Sequence, residues 1–319
     1  MHFYIAPKHF SVTLRSSLRN LCRCQFSTAT PPQSSKTSRV RQHYAAISIG
    51  AALGSSILLY NYFVSSNKPT LDPSAFTAFT LTRRVPVSHN TDIFRFDLPR
   101  PMPTDLPIIS FVRVKDDSMQ VARPYTPISP TSERRFIDLM VKRYENGQVS
   151  KWLHGLKVGD KVEIKGPART FDYKENMKKN VGMIAGGSGI TPMYQLINHV
   201  LSNPNDKTKM SLIYANVTED DILLRKELDA LAHAHPDRFK VYYTLDKAPK
   251  GWTQGSGHVN KEMVIENMPK TEEDVLVIVC GPPGMIRHVA GAKAKDWSQG
   301  EIGGVLKLVG YTAEQVAKL

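Results

Sequence analysis

Val181-Gly182-Met183-Ile184-Ala185-Gly186-Gly187-Ser188-Gly189-Ile190-Thr191-Pro192-Met193 reads as a buried strand, a glycine-rich turn and the start of a helix. The strand covers 181–185. Beyond the turn, Met193, Leu196, Ile197, Val200 and Leu201 recur at helical spacing. Thr191 is placed as the N-cap and Pro192 as the first helical residue. Glycines here let a pyrophosphate approach backbone N–H groups at the positive end of the helix. A glycine-rich loop alone is a weak signal; a strand before it and a capped helix behind it strengthen it.

Similar units follow. A strand at 210–215 leads to a helix from Thr218, with Asp221 as its capping partner, to about Ala234. Strands at 239–244 and 275–279 come next, the last running into Cys280-Gly281-Pro282-Pro283-Gly284-Met285 and a helix. Strands alternating with helices predict a doubly wound parallel sheet over 180–319. Ligands of such sheets bind at the carboxyl ends of the strands, where Gly186–Thr191, Asp246 and Cys280 all fall. Asp246 is read either as an acceptor for an adenosine ribose that repels a 2′-phosphate, or as a solvated turn residue before Lys247. Of the three cysteines, Cys22 and Cys24 lie near the start of the chain, which leaves no disulfide framework. Cys280 is either a small buried hydrophobe or a crevice-lining group.

Upstream the period changes. Runs at 75–84, 93–98, 108–114, 136–142 and 158–165 are short, β-rich and punctuated by Pro, Asn and Asp. They predict an antiparallel barrel or sandwich over 76–173. Arg123-Pro124-Tyr125-Thr126-Pro127-Ile128-Ser129 reads as a strand end turned into a rigid extended loop, because each proline lacks an N–H. It can hold a guanidinium against phosphate oxygens while a tyrosine ring lies on a heterocycle. Period 2 puts Met140, Lys142 and Tyr144 on one face. Glu145-Asn146-Gly147-Gln148-Val149-Ser150 is a turn opening a short helix through Trp152 and Leu153, whose free N–H groups and Ser150 hydroxyl form an anion site. Arg123, Lys142 and Ser150 for phosphates, with Tyr125 and Tyr144 for rings, describe a dinucleotide site.

Before residue 76 the chain is different in kind. No Asp or Glu precedes Asp72, and eight Lys or Arg do, so the formal net charge of +13 falls to +5 for the remainder. The basic balance belongs to the tail and does not argue for nucleic acid. Residues 1–35 are Arg- and Ser-rich, with Phe10, Leu14, Leu18 and Leu21 on one helical face, the pattern of a mitochondrial targeting segment. Residues 44–64 lack any charge and carry Tyr44, Tyr60 and Tyr62 at their ends, which predicts a single membrane anchor. Residues 65–75 read as a linker. Neither metal-ligand spacing nor a nucleophile elbow occurs.

Together these stretches resemble the NADH–cytochrome b5 reductases, within the ferredoxin-reductase-like flavoenzymes. The matching elements are 123–129, Val141-Lys142-x-Tyr144, 147–150, 186–193, Asp221-Ile222-Leu223-Leu224-Arg225 and 280–285, an ordered set covering about 76–319. The resemblance implies bound FAD, NADH as substrate and a cytochrome b5-type haem protein as acceptor. It implies that Arg123, Pro124, Tyr125, Thr126, Met140, Lys142, Tyr144, Gly147, Val149, Ser150 and Thr191 hold FAD, with Thr126 near flavin N5. It implies that Gly186, Gly187, Gly189, Pro192, Asp246, Cys280, Gly281, Pro282 and Met285 line the NADH site, with Cys280 beside the nicotinamide. Thr126 and Cys280 are thus the catalytic candidates.

The tail, 204–209 and 310–312 resemble the fungal mitochondrial branch. This implies an outer-membrane form facing the intermembrane space or a soluble processed form, with a monomeric soluble part. Two departures stand out. Pro107-Ile108-Ile109-Ser110-Phe111 replaces the Gly-Gln-His many members carry before the flavin motif. Ala168, rather than Gly, follows Gly166-Pro167. A flavin reductase with another acceptor and a tethered nucleotide-binding protein without turnover remain the rival readings.

Overall fold

The computed structural model describes residues 70–116 and 120–319. Its first lobe is an antiparallel sheet. The strands are β1 (Thr77–Ser88), β2 (Thr91–Asp97), β3 (Ser110–Lys115), β4 (Ala122–Tyr125), β5 (Phe136–Lys142) and β6 (Lys161–Arg169). They pair in the order β4-β3-β6-β1-β2-β5. A bridge between Pro127 and Leu139 joins the two outer strands, which closes the sheet into a barrel. Alternate side chains fill it: Phe79, Leu81, Phe94, Phe96, Val112, Val114, Ile137, Leu139, Val162 and Ile164 are all buried together. Helix α1 (Gln148–Gly155) adds Val149 and Leu153 to the same core.

The second lobe has strands β7 (Asn180–Gly186), β8 (Lys209–Asn216), β9 (Phe239–Leu245), β10 (Gly255–Ser256), β11 (Val275–Cys280) and β12 (Val316–Lys318). All pair in parallel, in the order β10-β9-β8-β7-β11-β12. Helices α2 (Ile190–Ser202) and α3 (Arg225–Ala234) pack on one face against Met183, Ala185, Leu212, Tyr214 and Ile278. Helices α4 (Lys261–Asn267), α5 (Pro283–Ala290) and α6 (Gly304–Val309) cover Ile184, Ile213, Val277 and Val279 on the other. The order reverses at β7, so the carboxyl ends of β7 and β11 flank the crevice of a doubly wound sheet. Ile109 and Met140 of the barrel lie in the same buried cluster as α2, so the lobes share apolar contact.

The sequence boundaries needed four corrections. Helix α2 begins at Ile190, not after Thr191, because a 3₁₀ turn at Gly187–Gly189 already supplies its first turn. Thr191 Oγ1 donates to Ser188 O (3.2 Å) instead of accepting as an N-cap. The Thr218–Asp221 capping box forms, but it caps only the 3₁₀ turn Glu219–Asp221. Leu224 then turns left-handed (φ 55°), which lets Ile222, Leu223 and Leu224 all reach the core before α3 starts at Arg225. Strand β6 continues through Gly166-Pro167 to Arg169, because Phe111 and Ser110 pair with Ala168 and Arg169 there. Among the described residues no helix is long and apolar enough to cross a membrane. The expected targeting segment, anchor and most of the linker lie outside the described residues.

Candidate functional site

The two loops at the switch point interlock. A Cβ on Gly189 would stand 2.3 Å from Cys280 O and 2.6 Å from Cys280 C. A Cβ on Gly186 would meet Met285 Sδ at 2.3 Å and Pro282 Cδ at 3.1 Å, and one on Gly281 would meet Met285 Sδ at 2.9 Å. Gly189 is therefore demanded by close approach to the backbone at the end of β11, whereas Gly186 and Gly281 make room chiefly for the Met285 side chain. Gly187 differs: its φ is +52° and nothing lies within 4 Å of a Cβ there, so its side-chain position faces open space. Tyr214 Oη donates to Gly187 O (2.9 Å) and fixes that turn from below.

Cys280 ends β11 partly exposed, packed against the α2-side core. Burial pushes its thiol up to about 12, although Lys293 pulls the other way. It is a neutral thiol at physiological pH, not a nucleophile. Pro192 and Thr191 are buried at the start of α2. Asp246 follows β9, which lies three strand positions from β11, or about 14 Å at a strand spacing of ~4.8 Å. Its Oδ1 is 3.6 Å from His258 Nε2. It does not touch the glycine cluster but marks the far end of the same carboxyl edge.

The barrel supplies the opposite wall. On outer strand β4, Arg123 pairs with Val114 and Tyr125 with Val112. Arg123 and Pro124 are exposed. Arg123 Nη1 donates only to Ala122 O (3.0 Å), and no carboxylate pairs with it among the described residues. Tyr125 rests on the barrel core, and burial pushes its phenol up to about 12. Thr126 is half-buried beside Pro127, whose carbonyl accepts from Gln195 Nε2 on α2 (3.3 Å), which draws this segment to the start of that helix.

Met140, Lys142 and Tyr144, expected on one face, all reach the second lobe. The Met140 side chain is committed to the core shared with the second lobe. Lys142 Nζ donates to Asp221 Oδ1 (2.8 Å), so its ammonium is paired with a carboxylate of the second lobe. Burial favours the protonated Asp221 carboxyl, yet Lys142 and Thr218 hold it below the usual carboxylate range. Tyr144 is exposed, and its hydroxyl is hydrogen-bonded to Ser188 Oγ (2.9 Å). The Ser150 hydroxyl folds back: it accepts from Tyr144 N (3.2 Å) and donates to Gly147 O (3.1 Å). A Cβ on Gly147 would lie 2.4 Å from that oxygen. The Ser150 hydroxyl is thus engaged with the turn that opens α1. Gly147 offers α1 no side-chain cap, so the first-turn N–H groups are the anion donors that remain. Val149 carries its side chain into the barrel core.

The residues present fit a flavin dinucleotide and a nicotinamide dinucleotide. An unneutralised guanidinium and an uncapped helix start suit phosphates, and the open Gly187 turn leaves room for backbone contact. No cluster of metal-ligating side chains occurs among the described residues. A cavity of about 570 Å³ lined by Ser211, Lys240, Tyr242, Glu266 and Met268 lies at the opposite, amino ends of β8 and β9, away from this chemistry.

Residues 78–173 match the oxidoreductase FAD-binding domain and 183–291 the oxidoreductase NAD-binding domain. An NADH-cytochrome b5 reductase-like protein of Arabidopsis thaliana is 45% identical over 259 residues, 79% of each chain. The chain belongs to the NADH–cytochrome b5 reductase family. NADH-cytochrome b5 reductase 2 of Emericella nidulans is 38% identical over 321 residues, covering 96% of both chains. The cytochrome b5 reductase domain of Ulva prolifera nitrate reductase superposes with a TM-score of 0.69 at 34% identity, over 79% of this chain and all of that one. Like its family, the chain is an oxidoreductase that uses FAD and NADH.

Sequence reasoning missed Ser188 and Gln195 as site-building residues and gave Asp221 no role beyond a helix cap and a place in the matching set. Gln195 did carry a signal, an amide on the apolar face of α2. Its Oε1 accepts from Ser110 N (3.2 Å) while Nε2 serves Pro127 O.

Proposed function

We propose that the chain takes a hydride from NADH and delivers electrons singly to cytochrome b5, with Thr126 and Cys280 nearest the reacting rings. FAD, when bound, supplies the step between two-electron and one-electron chemistry. Arg123 meets its pyrophosphate, with Pro124 holding the strand rigid, and Tyr125 lies against a ring. Thr191, Tyr144 and the backbone of Gly147, Val149 and Ser150 complete that site, supported by Met140 and Lys142. Gly186, Gly187 and Gly189 admit NADH to the strand ends, and Pro192, Gly281, Pro282 and Met285 shape the wall. Asp246 takes the adenosine ribose and disfavours a 2′-phosphate. Cys280 packs beside the nicotinamide as a neutral surface. The interlocking of Gly189 with Cys280 carries this reading, because it fixes two crevice walls that face the flavin barrel. Comparing NADH-driven reduction of cytochrome b5 with that of ferricyanide tests it: reduction of ferricyanide but not cytochrome b5 points to another acceptor.

Residues 1–35 direct the chain to mitochondria, 44–64 anchor it in the outer membrane facing the intermembrane space, and 65–75 link the anchor to the flavin (76–173) and NADH (180–319) domains. The 96% coverage of the Emericella nidulans relative, which reaches into this region, supports a shared arrangement. Alkaline extraction of mitochondria checks it: the chain stays in the pellet if anchored, and full release rejects the anchor.

A further inference from the structure

The lobes are joined by two kinds of contact. Deep in the seam, buried Gln195 bridges Ser110 N and Pro127 O, with Ile109 and Met140 packed nearby. Elsewhere the joint is polar: Lys142 Nζ to Asp221 Oδ1 at 2.8 Å, and Tyr144 Oη to Ser188 Oγ at 2.9 Å. The ion pair links β5 of the barrel to the turn after β8. Its side chains are 14% and 9% exposed, so water screens it little. By contrast, Arg84–Asp92, Arg95–Asp138 and Lys115–Glu163 all stay within the barrel.

Asp221 is not a loose partner. Its Oδ2 accepts from Thr218 N (3.1 Å) and Thr218 Oγ1 (2.8 Å), which locks the carboxylate to the end of β8. Lys142 lies in a strand paired along its whole length with β2. His89 of the β1–β2 turn adds a weaker contact from the barrel side, Nε2 to Oδ1 at 4.0 Å. Both ends are therefore anchored to regular structure, and the directional charge-assisted bond between them sets one spacing. An apolar seam of the same size could slide.

We propose that Asp221 is a positioning residue for hydride transfer: by clamping Lys142 it fixes the separation of the flavin barrel from the Gly186–Cys280 crevice. The inference rests on the NADH-to-FAD reading above. Reacting atoms must sit about 3–3.5 Å apart, and a misplacement near 1 Å costs up to about 10²-fold in rate. A buried ion pair is a weak source of stability but can specify geometry.

The decisive variants are Asp221→Asn and the double variant Lys142→Met/Asp221→Leu, each made as the flavin-loaded protein. Asp221→Asn keeps an oxygen for Thr218 while removing the charge. It should retain flavin, bind NAD⁺ with little change, and reduce its flavin at saturating NADH at least about tenfold more slowly. Reoxidation by ferricyanide should be unchanged, and amide exchange at 218–224 should rise. The double variant removes the stranded charge, so its melting temperature should recover towards wild type while flavin reduction stays slow. A wild-type reduction rate in Asp221→Asn overturns the proposal. So does a double variant in which rate and melting temperature recover together, which would leave Asp221 a purely structural part. Loss of flavin from folded Asp221→Asn also overturns it, by assigning the residue to the cofactor site; failure of NADH to reduce wild-type flavin would instead sink the underlying reading.

Discussion

Gly189→Ala is the most informative single perturbation of the crevice. The new Cβ would stand 2.3 Å from Cys280 O, whereas ordinary contact begins near 3.4 Å, so backbone must withdraw by roughly 1 Å. The obstructing atoms are main chain in β11, whose bonds to β7 and β12 resist the movement. Overpacking of this kind costs about 1–3 kcal/mol in stability. The same ångström, applied to the wall carrying Cys280, should slow hydride transfer by about 10²-fold, or ~2.7 kcal/mol of barrier. Gly187→Ala is the internal control. Its Cβ meets nothing, and its φ of +52° costs an L-residue about 1–2 kcal/mol without pushing on Cys280. The assay is anaerobic stopped-flow flavin reduction at saturating NADH, paired with thermal melting and flavin content. Wild-type reduction and an unchanged melting temperature for Gly189→Ala would refute the interlocked-loop reasoning.

Other outcomes follow from the same geometry. Arg123→Ala should leave stability within about 0.5 kcal/mol, since an exposed guanidinium without a carboxylate partner supports little; flavin content per protein should fall, and full occupancy would contradict its phosphate role. Burial raises the Cys280 thiol from its ordinary 9.0 to about 12, so its stabilising contribution is complete below pH ~9 and is lost as pH climbs towards 12. Cys280→Ser should flatten that part of the alkaline unfolding curve and slow flavin reduction, and a superimposable curve would argue against the buried thiol. Asp246→Thr should raise the NADPH-to-NADH activity ratio, because the carboxylate repels a 2′-phosphate; an unaltered ratio would show Asp246 to be a turn residue paired with His258.

The parts of the fold readable from sequence are those with a strong local period. The apolar runs of β7, β8, β9 and β11 and the spaced hydrophobics of α2 are local patterns, and each appears where the spacing put it. Short elements were not readable. β10 is two residues and β12 three, and α6 is one and a half turns packed on α4 and α5, so each is held by tertiary contacts that leave no local period. The Thr218 capping box was a true local signal with the wrong extent, because burial of Ile222 to Leu224 overrode helix continuation. At the site, residue types were legible but partnerships were not. Lys142 was legible as a cation at the site, but its pairing with Asp221, 79 residues away, was not. Likewise, the glycines read as room for a ligand, whereas Gly186, Gly189 and Gly281 are first of all room for each other's loops. Sequence spacing carries no information about such long-range contacts, which arise only when the two lobes are folded.

The central claim, that NADH and flavin meet between these walls, is tested most directly by anaerobic titration of the purified chain with NADH. The account predicts a yellow protein whose flavin bleaches with one equivalent of NADH and recovers its colour on adding oxidised cytochrome b5, with reduced haem appearing in step. A protein that is colourless and takes up no flavin, or whose bound flavin keeps its colour under excess NADH, contradicts it.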